Sequence, residues 1–540
     1  MSEREGQSPV SPTPPSTAVP RGGFGNTRTI ARNSVWIGLQ VGFSLLVVFL
    51  TSIPIARTFG PEKLGYYNYI QWLASISGVL GSFGIPIATR KYMSEYLGRG
   101  EQGLARAVFF STLRLQTLVG LGITAVAFVV VLIAVLPEYR WIGIFLVAGI
   151  LPSMVISVPS LANLASEDLS KNVAGIFAGG VTFCVFVGLS LLLDWGLLGI
   201  AIGMFVSKLV ELVLKMRAAL RWINPLPQGL LPPDLKRRMF LFSRDNFVLM
   251  LLNIVVWDRS DAVFLKMLNS DTSQVAFFFL AFNIAEKVLS LLKVFTGATG
   301  VTMMVQYGRN EDSVRPMMAT AARYVALVAV PLLLGVAAIS DPLIRLLYGE
   351  KFVAAIPVLL VCAVLAIPKA FLEPAQMLLL SSEKQGFIVR WGVVCGAVNV
   401  LLDFLLIPPY AAVGAAMANG LAQTMAVLGL WVYATRSSNL QIPYSGLARI
   451  GTCGLVMAAV CGLVSRLLHP LPALLIGVLV GAAVFFAMLR LTGSLWQEDR
   501  NRLEQLRTLV PKYTVTWFDR LLNLLIPLPP GKTSPVSGGI

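Results

Sequence analysis

Residues 172–193, NVAGIFAGGVTFCVFVGLSLLL, and residues 196–215, GLLGIAIGMFVSKLVELVLK, decide the fold class. The first run holds 22 residues without a charge, and only Asp194 and Trp195 part it from the second. About 20 mostly apolar residues in helical form match the hydrocarbon thickness of a bilayer. Two such runs, nearly touching, read as consecutive membrane crossings. The same criterion, with each run closed by charge, Pro or Gly, applies along the whole chain. It gives fourteen runs: 34–55, 65–87, 113–136, 141–163, 172–193, 196–215, 241–257, 274–301, 318–340, 354–380, 387–407, 411–434, 447–465 and 471–491. Composition agrees, with 56% hydrophobic and 13% charged residues, against about 25% charged in soluble domains. The longest connection, 216–240, carries Arg217, Arg221, Lys236, Arg237 and Arg238. No polar domain interrupts the runs, so function is confined to the bilayer and its two faces.

The net charge is +16, from 43 Lys and Arg against 27 Asp and Glu. In a polytopic protein this excess fixes orientation through basic inner loops, so nucleic acid is not implied. With the amino terminus inside and fourteen alternating crossings, Arg57, Lys63, Arg140, Arg259, Lys266, Arg345, Lys351 and Arg466 fall outside. Lys287, Lys293 and Lys369 sit within spans, and the remaining 32 belong to the inner side. Both termini are therefore expected in the cytoplasm. Residues 1–27, rich in Ser, Pro, Thr and Gly, read as a disordered tail rather than a signal peptide. At the other end, 494–510 reads as a charged surface helix and 513–525, with Trp517, Phe518, Leu521 and Leu522, as an interfacial one.

Catalytic chemistry finds little purchase. His469 is the one histidine, which excludes His-based triads and His-rich zinc sites. Cys184, Cys362, Cys395, Cys453 and Cys461 all lie in apolar runs with no CxxC pair, so they read as inert core thiols. No metal and no cofactor is expected.

An internal repeat organises the spans. Trp195-Gly196-Leu197-Leu198-Gly199-Ile200-Ala201-Ile202-Gly203 reappears in character as Tyr410-Ala411-Ala412-Val413-Gly414-Ala415-Ala416-Met417-Ala418, offset by 215. Gly65-Tyr66-Tyr67-Asn68-Tyr69-Ile70 corresponds to Val275-Ala276-Phe277-Phe278-Phe279-Leu280, offset by 210. Each copy has an even number of spans, so the copies are parallel repeats about an axis along the membrane normal, with a cavity between them. The expected fold is an all-α polytopic membrane protein of about 14 transmembrane helices. Two parallel six-helix lobes, 28–220 and 241–436, are joined by an inner loop at 221–240. Spans thirteen and fourteen, within 437–492, stand outside the lobes, and 493–540 forms a cytoplasmic or interfacial tail.

Three short segments then bring a family into view. Arg57-Thr58-Phe59-Gly60-Pro61-Glu62-Lys63-Leu64-Gly65-Tyr66 lies between spans one and two, Trp257-Asp258-Arg259 follows span seven, and Leu346-Leu347-Tyr348-Gly349-Glu350-Lys351-Phe352 precedes span ten. In this order along residues 28–510, the chain resembles the polysaccharide transporter family, the Wzx-type oligosaccharide flippases, of the multidrug/oligosaccharidyl-lipid/polysaccharide flippase superfamily. The resemblance implies a non-enzymatic flippase of the bacterial inner membrane. Its substrate would be an undecaprenyl-diphosphate-linked oligosaccharide, moved to the outer leaflet by alternating access during O-antigen, capsule or exopolysaccharide synthesis. Polysaccharide assembly proteins are the partners it implies.

Ionisable residues inside spans are costly and mark a cavity or a partner. A lipid diphosphate requires compensating cations. The candidates by depth are Lys287, Lys293 and Lys369, with Arg90, Arg244 and Arg390 near the inner entrance. Glu286, Glu373 and Asp403 are the candidates for coupling to H+ or Na+, since a buried carboxyl exchanges a proton or cation as a cavity opens. Lys369 and Glu373, four apart, can pair, though Lys before Glu is the weaker order. Asp258 and Asp261 are weaker coupling candidates, since an outer-face salt bridge with Arg259 between them explains them equally well, and Lys208 and Glu211 read as a structural pair. Gln40, Asn68, Gln71, Asn253, Asn283, Gln376, Asn399, Asn419 and Gln423 are candidates for lining a sugar cavity. Pro54, Pro86, Pro152, Pro331, Pro368 and Pro374 are candidate kinks.

Competing readings stay open. A lipid II flippase would share the spans and the cationic cavity. A cation-coupled drug exporter would dispense with intramembrane lysines. A glycan polymerase or ligase would need a large outer loop, and the outer loops here are short.

Overall fold

In the computed structural model of the chain, the described residues are 27–494 apart from 167, 258, 259, 270, 310, 383 and 439–443, together with 500, 504, 519, 522 and 523. The N-terminal half comprises α1 (Thr27–Gly81), α2 (Ile85–Gly98), α3 (Gln102–Ala134), α4 (Arg140–Ala148), α5 (Ile150–Ala165), α6 (Ser170–Leu192) and α7 (Gly196–Ile223). The C-terminal half comprises α8 (Pro233–Trp257), α9 (Asp261–Leu268), α10 (Ser273–Arg309), α11 (Glu311–Ala338), α12 (Ser340–Tyr348), α13 (Ala355–Ala370), α14 (Leu372–Ser381) and α15 (Gln385–Ser438). Two helices follow, α16 (Tyr444–Leu467) and α17 (Pro470–Leu491). Among the described residues there is no strand, as hydrocarbon demands of a chain whose backbone groups must pair internally.

Among the described residues, eleven helical stretches are long and apolar enough to cross a membrane. Two of them, Gly38–Gly81 and Gln385–Ser437, run to 44 and 53 residues, about twice what one crossing needs. Each breaks within: α1 at Gly60 (φ 71°) ahead of Pro61, and α15 at Ala411 (φ 47°) after Pro408 and Pro409. The runs expected at 141–163 and 354–380 are also divided. The first breaks at Gly149, between α4 and α5 and shortly before Pro152; the second breaks at Phe371, between Pro368 and Pro374. Proline removes a backbone donor and crowds the carbonyl four residues back, so breaks at these points follow from the sequence.

The repeat has a structural counterpart. Gly196 and Ala411, equivalent at the offset of 215, both take positive φ (63° and 47°). A 3-10 turn at Pro137–Tyr139 precedes α4, and one at Glu350–Phe352 precedes α13. The other repeat pair meets face to face: a Cβ on Gly65 would lie 1.9 Å from the Thr272 carbonyl oxygen and 3.3 Å from the Ala276 nitrogen. Glycine is required there because the backbones of α1 and α10 touch.

The main core joins the halves, packing Ile55, Tyr67 and Ile70 of α1 and Ile142 and Ile150 of α4 and α5 with Phe277, Phe278, Phe352 and Leu359. The last two helices lie to one side, where Ile450, Cys453, Met457 and Cys461 of α16 and Phe485 of α17 meet Ala326, Val330 and Leu334 of α11. Large apolar side chains such as Leu118, Val126, Ile133, Leu192 and Leu479 point outward, a surface suited to acyl chains rather than water. All five cysteines are free, four of them buried. Most of the carboxyl tail, including Trp517, Phe518 and Leu521, and residues 1–26 lie outside the described residues. Within the tail, Arg500 reaches both Glu504 (2.8 Å) and Asn523 (2.7 Å).

Candidate functional site

A cavity of about 550 Å³ opens in the N-terminal half against Met250 of α8, within the range of roughly 300–1,000 Å³ usual for ligand sites. Its geometry follows from helical periodicity. Gln71, Ala74, Ser75, Gly78, Val79 and Ser82 recur at three- and four-residue steps along one face of α1. Ser153, Met154 and Ser157 of α5 face them, and Met204, Phe205 and Lys208 of α7 close the wall. The lining is apolar with a polar minority: Gln71, four serines and one charged residue, Lys208. Ser75 donates to the Gln71 carbonyl and Ser82 to that of Val79, both at 2.8 Å, which leaves their lone pairs available as acceptors. Of the polar residues expected to line a cavity, Gln71 does so here. The serine stripe and the place of Lys208 in the wall were not anticipated; the small and hydroxyl residues at helical spacing along 71–82 were the signal for the stripe, and the sequence marks Lys208 only as the partner of Glu211.

Lys208 does pair with Glu211, as expected, but a third residue joins. The Lys208 ammonium lies 3.0 Å from Glu211 Oε2, and Lys215 donates to Oε1 of the same carboxylate at 2.7 Å.

A second polar group lies in the C-terminal half. Here the helix breaks at Phe371, between Lys369 and Glu373. Lys369 reaches across to α10, 3.0 Å from Glu286 Oε2, with its ammonium 5.3 Å from the Phe282 ring centre. Beside this pair is a cavity of about 20 Å³, also lined by Asn419 and Gln423, enough for a single water or small cation.

Asp261, one of the weaker coupling candidates, belongs to the same region. It is fully buried at the start of α9. Asn399 and Asn419 donate to its two oxygens at 3.2 and 2.7 Å, and Gln423 donates to Asn419 at 2.8 Å. The Ala411 break makes this possible: Asn399 and Asp403 occupy one leg of α15 at a four-residue step, and Asn419 and Gln423 the other. Asp403, also fully buried, faces Asp261, acceptor against acceptor, and neither of its carboxyl oxygens receives a donor. Two adjacent buried carboxyls call for a proton or a monovalent cation as counter-charge.

The remaining candidates are dispersed. Arg90, Arg244 and Arg390 are exposed on α2, α8 and α15; Arg244 bonds Asp245 at 2.9 Å and Arg390 the Gly386 carbonyl at 3.2 Å. Lys287 and Glu373 are half-buried. The side chain of Lys293, together with Asp258 and Arg259, lies outside the described residues. Among the described residues no group of three or more His, Cys, Asp or Glu is placed to hold a metal ion.

These features define a class: an α-helical, multi-pass membrane protein whose larger cavity lies in its N-terminal half, against Met250, rather than between two lobes as expected. The family profile of polysaccharide biosynthesis proteins matches residues 30–307, and that of the lipid II flippase MurJ matches residues 304–480. The chain belongs to the polysaccharide biosynthesis protein family. It is 21% identical over 471 residues to the probable low-salt glycan biosynthesis flippase Agl15 of Haloferax volcanii, covering 84% of this chain and 94% of that one. It is 22% identical over 389 residues to the succinoglycan biosynthesis transport protein ExoT of Rhizobium meliloti, covering 69% and 73%. Among solved structures, lipid II flippase MurJ in an inward closed conformation aligns with a TM-score of 0.69 at 14% identity, over 85% of this chain and 98% of that one. An inward-facing MATE family multidrug transporter of the MOP superfamily aligns at 0.63 and 14%, over 76% and 98%. These structural likenesses are of fold.

Proposed function

We propose that this protein is a flippase carrying an undecaprenyl-diphosphate-linked oligosaccharide from the cytoplasmic to the outer leaflet by alternating access, for polysaccharide biosynthesis. The observation that carries the proposal is the 550 Å³ cavity, whose apolar walls bear hydroxyls, one amide and one ammonium. Sugars need hydrogen-bond partners and a diphosphate needs a cation, whereas a lipid tail needs only the apolar surface. The names of the relatives, a glycan biosynthesis flippase and a succinoglycan transport protein, support the same reading. Nothing in the process requires a bond to be made or broken.

In this reading the six-helix lobes are residues 28–220 and 241–436, joined at 221–240, and residues 437–492 complete fourteen spans. Both termini face the cytoplasm of a bacterial inner membrane. The exposed Arg90, Arg244 and Arg390 meet the headgroup at the inner entrance, while Lys287, Lys293 and Lys369 supply the cations of the second lobe. Asp403 with Asp261 is the station of the coupling ion, H+ or Na+, and Glu286 and Glu373 are further carboxyls on its route. Polysaccharide assembly proteins hand over and receive the glycan.

The test uses liposomes containing the purified protein and a short undecaprenyl-diphosphate-linked oligosaccharide, with wild type compared with Lys287→Ala plus Lys293→Ala at matched insertion. Wild type should expose the glycan to a lectin added outside, and the double variant should do so at least ten-fold more slowly. Equal rates would remove the two lysines from the site. No glycan exposure, together with export of a cationic dye, would replace the flippase by a drug exporter, and movement of lipid II alone would assign the protein to peptidoglycan.

A further inference from the structure

Glu211 holds two ammonium groups where one would neutralise it. Lys208, Glu211 and Lys215 fall at steps of three and four along α7, hence on one face. Each carboxylate oxygen serves a different lysine, at 3.0 and 2.7 Å. The two pairs differ in setting. Lys215 is 7% exposed and Glu211 13%, both sealed by α6, where a Cβ on Gly175 would stand 2.8 Å from Lys215 Cγ and one on Gly179 3.4 Å from Glu211 Cβ. Lys208 is 36% exposed and belongs to the cavity wall. A charge buried in apolar surroundings is costly, and a second lysine on an already neutralised acid adds that cost without being needed for packing.

We propose that Lys208 is the diphosphate anchor of the cavity, held by Glu211 until the lipid headgroup arrives, and that Lys215 neutralises Glu211 once Lys208 has left it. The proposal rests on the flippase reading and names the contact that reading lacks. When a phosphate oxygen takes the place of Glu211 Oε2, one anion replaces another at an ammonium that is already partly desolvated. The transfer thus avoids most of the penalty of drawing a charge from water. Lysine suits the task, being a mobile point charge on a four-carbon stem, where arginine would favour a fixed two-point pair. Glu211 and the phosphate compete for the same cation, so removal of the headgroup restores the resting pair and favours release.

The test is equilibrium binding of undecaprenyl diphosphate, and separately of inorganic pyrophosphate, to purified full-length protein in detergent, alongside the liposome flipping assay. Lys208→Gln keeps the volume and loses the charge, and should weaken lipid binding about ten- to hundred-fold, the worth of a charge-assisted hydrogen bond. Lys208→Arg should restore part of it. Glu211→Gln removes the competitor and should tighten binding several-fold while slowing release, an effect that a purely structural pair would not produce. It also keeps the proposal testable should Lys208→Gln fail to fold. Lipid binding by Lys208→Gln equal to that of a flipping wild type overturns the anchor and leaves the flippase intact. A wild type that neither binds nor flips the lipid overturns both. Lys208-dependent binding of pyrophosphate without binding of the lipid would mean the residue serves a soluble anion, and would overturn the anchor too.

Discussion

Asp403 shows how one side chain can be intelligible only through its neighbours. Fully buried on α15, with no donor to either oxygen, it faces an Asp261 already supplied by two asparagine amides. Left ionised together, the two carboxylates would repel at close range in a medium that screens poorly. An amide in place of one of them would offer a donor instead. Asp403→Asn is therefore expected to raise the stability of the purified, substrate-free protein by about 1–3 kcal/mol and to abolish any acceleration of flipping by an imposed Na+ or H+ gradient. Thermal unfolding and gradient-driven flipping check the two halves. A lower unfolding midpoint with gradient dependence intact would show that Asp403 is an ordinary packing residue. The sequence marked Asp403, Asn399, Asn419 and Gln423 separately as polar residues in apolar runs, but it could not bring them to Asp261, which lies 138 and 158 residues from its two asparagine donors. Lys369 was legible as an intramembrane cation for the same reason, and its partner, 83 residues away, was not.

At the scale of the element, length and hydropathy were enough to find the apolar helices, because the bilayer imposes the same requirement on each of them. The breaks were legible only where proline stands beside them, as at Gly60, Gly149 and Phe371. The short helices α9 and α12 fall below the length that hydropathy can detect. The bend at Ala411 is the instructive case. Its equivalent in the first half is Gly196, also at positive φ, and glycine takes that conformation without steric cost. Alanine at φ 47° pays a penalty of about 1–3 kcal/mol. Ala411→Gly is accordingly expected to stabilise the fold by about 1 kcal/mol, once the entropy glycine loses on folding is set against the strain relieved. The change should appear as a higher thermal midpoint with flipping retained. A lower midpoint would mean that the methyl group contributes more to packing between the legs of α15 than the backbone strain costs.

For the whole molecule, the repeat read from the sequence, at an offset near 210, names which elements should correspond before any contact is known. The contacts add that corresponding stretches touch. Gly65 meets 272–276, as expected if both lie beside the axis relating the halves. Two of the three family-like segments, read as separate motifs, also prove to be two sides of one junction. Arg57 donates to the carbonyls of Leu347, at 2.9 Å, and Leu346 at the last turn of α12, and Ser52 lies 3.5 Å from the Tyr348 hydroxyl. A guanidinium there satisfies carbonyls that have no partner within their helix and complements the negative end of its dipole. The junction ties the halves together on the side proposed to face outward, so alternating access must release it in each cycle. Arg57→Ala should weaken it by about 1–2 kcal/mol, a five- to thirty-fold shift toward the outward-open state. Spin labels at Glu62→Cys and Glu350→Cys, in a background lacking the five native cysteines, would report this directly. The wild type should give a short, narrow distance distribution, and Arg57→Ala a second population at longer distance with a slower return step in flipping. If the distribution stays short and narrow without Arg57, the halves are held closed by the Phe277, Phe278 and Phe352 core instead, and opening is limited by repacking of that apolar contact rather than by the arginine.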